Sequence, residues 1–261
     1  MDPQGSFGPV HLLLRRLDDP VLATDLGRMR HSNEDALGFD NRFAIAAVAD
    51  GVGSGSGGGR AARLAIQTVL RSIPAECAAL GTPSTWKVET SKQVLAGALL
   101  RVQARIWCDS RSLNLPKMAT TLTVVWCVGG FAVIGHIGDS RAYRLRNGRL
   151  EQLTTDHTQL EELRRMYGEV TADMKRMYEH VLCRAFSGRR EWVEPDIRVE
   201  PLEVGDVFLL CTDGLTRGVD EKEIAAVFGD VELTAVPGLL VDLANAAGGQ
   251  DNVTAVVARV G

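Results

Sequence analysis

The sequence predicts an α+β protein built in layers, antiparallel sheets inside and helices outside, and three observations carry that prediction. Strand patterns cluster in the middle third: Thr120 to Val128, Phe131 to Ile137, Ala142 to Leu145 and Leu150 to Leu153 follow one another across short turns. Gly129-Gly130 and Asn147-Gly148 are hairpin-type pairs, so this region reads as an antiparallel meander. Helical patterns come in pairs before and after it, and no helix separates successive strands as a parallel Rossmann arrangement would require.

Composition fits one large globular unit. The chain has 261 residues, 45% hydrophobic and 24% charged, with no shift in composition that marks an internal boundary. A net charge of −4 offers no basic stripe for nucleic acid and no attraction to an anionic membrane. Five cysteines, Cys77, Cys108, Cys127, Cys183 and Cys211, are odd in number and widely spaced, so reduced thiols and a cytoplasmic location are expected. The opening MDPQGSFGPVHLLLRRLDDP has only Leu12-Leu13-Leu14 as an apolar core, which does not fit a signal peptide. No run approaches the roughly 18 residues of a membrane span.

Residues 1–20 are expected to be an N-terminal extension and 21–261 one domain. Val21 to Thr24 predicts a first strand, followed by a polar loop rich in turn formers. In that loop Arg30 offers a planar fork to phosphate oxygens, and Glu34 and Asp35 are candidate acceptors from metal-bound water. Phe43 to Ala49 carries no polar side chain, as expected of a strand buried on both faces, and it stops at Asp50-Gly51 and a glycine-serine tract. The tract fits neither the dinucleotide pattern nor the P-loop, which argues against a nucleotide hydrolase. Ala61, Ala62, Ala65, Ile66, Val69, Leu70 and Ile73 predict a core helix over 60–73, stopping at Pro74. Val94, Leu95, Ala98, Leu99, Val102 and Ile106 predict a second over 87–108.

The meander ends at Thr154-Thr155-Asp156-His157, and Thr158 with Glu161 forms a capping box for a helix over 159–167. His157 reads as a turn residue or as an outer group able to donate a proton toward a site. The segment up to Trp192 is the most basic of the chain, with Arg164, Arg165, Lys175, Arg176, Arg184, Arg189 and Arg190 near Met166, Met174 and Met177. It reads as a solvated helix pair or as a mobile cover for an anionic partner. Val207 to Thr212 predicts a strand, 221–227 and 236–247 two helices, and 253–260 a final strand.

Asp50, Asp139, Asp213 and Asp251 stand at the ends of four apolar runs. One Asp-Gly pair marks a turn, since both residues tolerate left-handed backbone; four such strand ends point to a shared site. A carboxylate at a core edge loses hydration and repels its neighbours, so a cluster of them needs a cation to stay ionised. Oxygen donors without a His-Cys set at zinc spacing favour Mg²⁺ or Mn²⁺ over Zn²⁺.

In series, Gly27-x-x-Arg30-x-x-Asn33-Glu34-Asp35, Val48-Ala49-Asp50-Gly51, Gly138-Asp139-Ser140-Arg141, Thr212-Asp213-Gly214-Leu215 and Gly249-x-Asp251-Asn252-x-Thr254 resemble the bacterial metal-dependent serine/threonine protein phosphatases of the type 2C (PPM) family. The resemblance spans about Leu22 to Val260. It implies a four-layer αββα sandwich, two central antiparallel sheets flanked by helices, with a two-metal site at one end. It further implies that Asp50 bridges two Mn²⁺ or Mg²⁺ ions, that the Gly51 carbonyl helps bind one, and that Asp213 and Asp251 bind the other. Glu34 would act through metal-bound water, Arg30 would hold the substrate phosphate, and Asp139 with Asp213 would form a third, weaker metal site. Asn252 would shape the loop.

Two metals about 4 Å apart activate a water and stabilise the attacking and leaving oxygens, so no protein nucleophile is needed. The implied reaction is hydrolysis of phosphoserine or phosphothreonine in a protein substrate, opposing a bacterial Ser/Thr kinase. The chain departs from the family at Val52, where eukaryotic relatives place a histidine, and in lacking a histidine in the glycine-serine tract. The general acid is therefore open, with His157 a candidate by chemistry alone. Residues 157–192 fall where the family has its variable flap. The alternative is a catalytically inactive binding or sensor module, against which the intact acid set argues. No repeat or heptad announces an oligomer, and a monomer is expected.

Overall fold

The computed structural model describes residues 17, 18, 20–53, 57–81, 86–189, 192–229 and 231–261. Most of the expected N-terminal extension, Ser54 to Ser56 of the glycine-serine tract, residues 82–85 of the linker and Arg190 lie outside them.

Among the described residues the strands are β1 Val21–Asp25, β2 Ala36–Asp40, β3 Ile45–Ala49, β4 Gly51–Val52, β5 Ala119–Thr120, β6 Leu122–Val128, β7 Phe131–Ile137, β8 Arg141–Arg146, β9 Arg149–Gln152, β10 Phe186–Ser187, β11 Asp196–Pro201, β12 Val207–Cys211 and β13 Val253–Arg259. The helices are α1 Gly57–Leu80, α2 Val88–Ser112, α3 Gln159–Tyr167, α4 Ala172–Tyr178, α5 Asp213–Thr216, α6 Glu221–Val227 and α7 Val236–Ala246. One five-stranded sheet runs β1-β13-β12-β8-β9, the other β11-β7-β6-β3-β2, and a separate small sheet runs β10-β5-β4. Every pairing between these strands is antiparallel.

Strand periodicity distributes the apolar runs between layers. Ile45, Ala47 and Ala49 of β3 join Val69 and Ile73 of α1 and Leu95, Leu99 and Ile106 of α2 in one core. Ala46 and Val48, facing the other way, pack with Phe208, Leu210 and Val256 between the two sheets. Val207, Leu209 and Cys211 face outward again, against Leu240 and Val241 of α7. Strands without polar side chains are thus those sandwiched on both faces. The result is an α+β sandwich of four layers.

Several local expectations need correction. The first buried strand begins at Ile45, because Phe43 and Ala44 lie in the turn after β2 and Ala44 takes a positive φ of 53°. Helix α1 runs through Pro74 to Leu80, since Cys77 beyond it continues the buried stripe and offsets the hydrogen bond a proline forgoes. The meander is two hairpins in different sheets: β6-β7 lies in one and β8-β9 in the other. Gly138, at φ 108°, carries the chain across. Only half of the capping box at α3 forms, because the Glu161 carboxylate pairs with Arg164 while Thr158 accepts from the Glu161 amide. No helix among the described residues is long and apolar enough to cross a membrane.

Candidate active site

The crossing between sheets explains why the acids meet. Asp50 follows β3 of one sheet, Asp213 follows β12 and Asp251 precedes β13 of the other, and Asp139 sits in the loop that passes from β7 to β8. A cavity of about 500 Å³ at this end is lined by Arg30, Glu34, Asp50, Gly51, Asp139, Asp213 and Asp251, together with His31, His180, Arg217 and Asn252. Every residue to which the family resemblance assigns a metal, phosphate or water role therefore reaches one cavity.

Backbone clamps aim the carboxylates. The Asp50 amide donates to Thr121 Oγ1 at 2.8 Å, and its carbonyl accepts from Thr120 Oγ1 at 2.8 Å and from the Thr121 amide at 2.9 Å. With its main chain held, the Asp50 side chain is free to face the cavity. Gly51 must be glycine for packing, since a Cβ there would lie 2.3 Å from the carbonyl carbon of Gly58 at the start of α1. Asn252 shapes the loop as expected: Oδ1 accepts from the Glu34 amide at 2.8 Å, while Nδ2 donates to the Leu26 and Ser32 carbonyls at 2.9 and 3.0 Å. One side chain thus ties the loop carrying Arg30 and Glu34 to Asp251.

Two arginines answer the acids. Arg30 Nη2 donates to Asp251 Oδ2 at 2.6 Å. Arg217, one helical turn after Asp213, donates from Nε to Asp213 Oδ2 at 2.7 Å and sets Nη2 3.5 Å from Asp251 Oδ2. The charge of the cluster still dominates. Burial, with repulsion from Asp213, Asp35, Asp139 and Asp251, holds the Asp50 carboxyl far above the usual carboxylate range. Burial and Asp213 do the same to Asp139, and burial raises Glu34. Asp213 Oδ1 is buried without a partner. Clustered carboxylates with an orphaned buried oxygen are the donor set of a hard divalent cation, so the residues present fit such an ion.

Asp35 departs from the sequence reading. It does not line the cavity; its Oδ2 accepts from Thr212 Oγ1 at 2.8 Å and Thr254 Oγ1 at 2.6 Å, bracing the ends of β12 and β13 from beneath. His157 also stays off the cavity wall. Its Nδ1 accepts from the Gly138 amide at 3.1 Å and its Nε2 lies 3.2 Å from Asp196 Oδ2, so it steadies the loop bearing Asp139 instead of reaching substrate. Burial keeps this imidazole below its ordinary range, which favours the neutral form that can accept from Gly138.

Sequence reasoning missed Arg217 and His180. The first had a signal, its spacing of four residues from Asp213, which places both on one helix face. His180 had none, because its approach depends on how the segment after α4 folds back.

A family model described as protein phosphatase 2C matches residues 28–237. The chain is 35% identical over 243 residues to the serine/threonine phosphatase stp of Listeria monocytogenes, covering 90% of this chain and 92% of that one. Its fold matches the crystal structure of the Mycobacterium tuberculosis serine/threonine phosphatase PstP/Ppp with a TM-score of 0.82 at 30% identity, over 94% of this chain and 99% of that one. The catalytic domain of PstP in complex with two manganese ions gives 0.79 at 31% identity, over 94% and 98%. The chain is a serine/threonine protein phosphatase, and it belongs to the bacterial type 2C (PPM) family.

Proposed function

We propose that the chain hydrolyses phosphoserine and phosphothreonine in protein substrates at this cavity, with two divalent ions held by Asp50, Gly51, Asp213 and Asp251. The observation that carries this reading is the convergence of those groups with Arg30 around one cavity in which Asp213 Oδ1 is buried and unpartnered. Support for the metal comes from PstP, whose catalytic domain is described in complex with two manganese ions. Bound Mn²⁺ or Mg²⁺ supplies an activated water and counter-charge to the phosphate.

The protein's own groups do the rest. Once the charge of Asp251 is engaged by a cation, Arg30 is released to take the non-bridging phosphate oxygens through its planar fork. Arg217, similarly released from Asp213, adds a second positive charge at the cavity wall. Glu34, whose carboxyl burial pushes up, would accept the proton of the attacking water, and the departing seryl or threonyl oxygen would take its proton from solvent. Asn252 fixes the loop that carries Glu34 and Arg30.

A protein of this class opposes a Ser/Thr kinase of the same cell. Free Cys77, Cys127 and Cys211, all buried, suit a reducing cytoplasm.

The test is phosphate release from a phosphothreonine peptide by the wild type and by Asp213→Asn, each with Mn²⁺, Mg²⁺ or chelator. Metal-dependent release that falls by about 10²-fold or more in the variant is expected. A folded wild type that stays silent with every metal would favour the inactive binding module.

A further inference from the structure

The catalytic cavity continues past Val52. Val52 and Leu182 line that cavity and also a second one, a groove of about 410 Å³, so the two share a wall. Among the described residues three cations line the groove, Lys117, Arg184 and Arg189, and no acidic residue does. In a chain of net charge −4 this is a local excess of positive charge. Arg184 is answered from outside the groove, donating from Nη1 to Asp196 Oδ1 at 2.9 Å and to the Glu194 carbonyl at 3.2 Å. Lys117 and Arg189 are exposed, and neither side chain makes an ion pair or hydrogen bond with another described residue.

The groove is built on the elements that aim Asp50. Val52 of β4 and Ser187 of β10 both pair with Ala119 of β5, so three lining residues sit side by side across the small sheet. Thr120, the next residue of β5, donates from Oγ1 to the Asp50 carbonyl at 2.8 Å. The chain that carries Leu182 and Arg184 is anchored as well: the Val181 carbonyl accepts from the Gln159 amide at 2.8 Å, and the Cys183 amide donates to the His157 carbonyl at 2.8 Å. Gln103 of α2 holds the segment that ends in Arg189, its Nε2 donating to the Ser187 carbonyl at 3.0 Å and the Arg189 carbonyl at 3.4 Å.

We propose that this groove seats the chain flanking the phosphorylated residue of a protein substrate, and that Lys117 and Arg189 select acidic side chains in that flank. This rests on the phosphatase reading above and names its substrate class. The shared wall puts the groove within reach of a peptide whose phosphothreonine sits in the catalytic cavity, since each extended residue advances about 3.3 Å. Charge then decides which flank is favoured. The carboxylates of the catalytic cavity repel an acidic peptide, and the two unpaired cations of the groove attract it a few residues from the phosphate. Val52, where eukaryotic relatives place a histidine, serves as an apolar rim between phosphate and flank.

The experiment compares kcat/KM of the full chain with Mn²⁺ on phosphothreonine peptides that carry glutamates or glutamines beside the phosphorylated residue, on one side or the other. Para-nitrophenyl phosphate serves as a substrate without a flank. Wild type is expected to favour glutamate in one of the two flanks about 3- to 30-fold, as two partly exposed ion pairs would give, and the preference should shrink as salt rises. The double variant Lys117→Gln with Arg189→Gln should lose the preference while turning over para-nitrophenyl phosphate as wild type does. Lys117→Glu with Arg189→Glu should favour lysine in the same flank. Both side chains are exposed, so the variants keep the wild-type melting temperature. Equal kcat/KM on glutamate and glutamine peptides in wild type, or a preference that survives in the glutamine variant, overturns the assignment. A wild type that cleaves no substrate would strike the phosphatase reading instead; the same preference, read as peptide binding by fluorescence anisotropy, would then keep the groove, and its absence there would remove it.

Discussion

Raising the pH of the metal-free protein from about 5 to about 8 is expected to destabilise it, with Asp35 as a traceable cause. Its Oδ1 is buried without a partner. Burial pushes the carboxyl up to about 7, repulsion from Asp213 and Asp251 adds to this, and hydrogen bonds from Thr254 and Thr212 oppose it. In the unfolded chain the same group titrates near about 4. Between the two values the folded state holds a proton that the unfolded state has released, so the free energy of unfolding falls as pH rises. The stabilisation is complete below the unfolded value and lost as pH passes about 7. From pH 5 upward about two units of that window remain, which at about 1.4 kcal/mol per unit is about 3 kcal/mol. For a chain of this size the loss lowers Tm by roughly 6 to 12 °C. Asp50 and Asp139 are raised in the same direction and add to the slope. Thermal melts in chelator across this range, for wild type and Asp35→Asn, isolate the group, because asparagine keeps the shape and an acceptor oxygen but cannot ionise. The variant should lose about 3 kcal/mol less than wild type. Equal slopes for the two proteins would refute the titration of Asp35. Saturating Mn²⁺ should flatten both, since a cation replaces protons as counter-charge to Asp50 and Asp139.

Arg30→Ala removes one charged hydrogen-bond donor from the phosphate and should lower kcat/KM for a phosphopeptide about 10- to 100-fold, corresponding to about 1.5–3 kcal/mol; unchanged steady-state kinetics would take Arg30 out of phosphate binding. Asn252→Ala strands the Glu34 amide and the Leu26 and Ser32 carbonyls. A loss of about 2–4 kcal/mol in urea unfolding is expected, and a loss below about 1 kcal/mol would show that the loop is held by other means. Gly214→Ala would set a Cβ 1.9 Å from the Asn252 carbonyl oxygen, a backbone atom that cannot yield. The variant should melt well below wild type, by about 3 kcal/mol or more, and a wild-type melt would mean that the close approach of α5 to β13 is absent in solution.

The layers were legible because their apolar runs are of two kinds. Phe43 to Ala49 and Val207 to Cys211 contain no alternation, and such strands are stable only when covered on both sides, which is where β3 and β12 lie. Strands β2 and β11 were not foreseen. Their residues, ALGFD and DIRVEP, are short or charge-interrupted, and both strands run along sheet edges where the burial that writes a pattern is half missing. Pro74 misled for a related reason: local preference marks a stop, and the decisive contact, Cys77 against the α1-α2 core, is tertiary.

The candidate site divides in the same way. Asp50, Asp139, Asp213 and Asp251 were found because each ends an apolar strand, so position along the chain already fixes position in space. Asp35 and Glu34 show the limit of that logic. They are adjacent, equally acidic and in one loop, yet Glu34 lines the cavity while Asp35 turns beneath it to Thr212 and Thr254. Which way each points is set by Asn252, whose side chain captures the Glu34 amide from 218 residues away. A carboxylate's role here is thus decided by a distant amide that orients the peptide, and that contact exists only once both sheets have met. The same holds for His180: its approach to Asp139 and Asp213 needs α3, α4 and the anchored Val181 to Cys183 in place. Its place at the cavity wall arises from the fold-back of a segment that in sequence reads only as basic and polar.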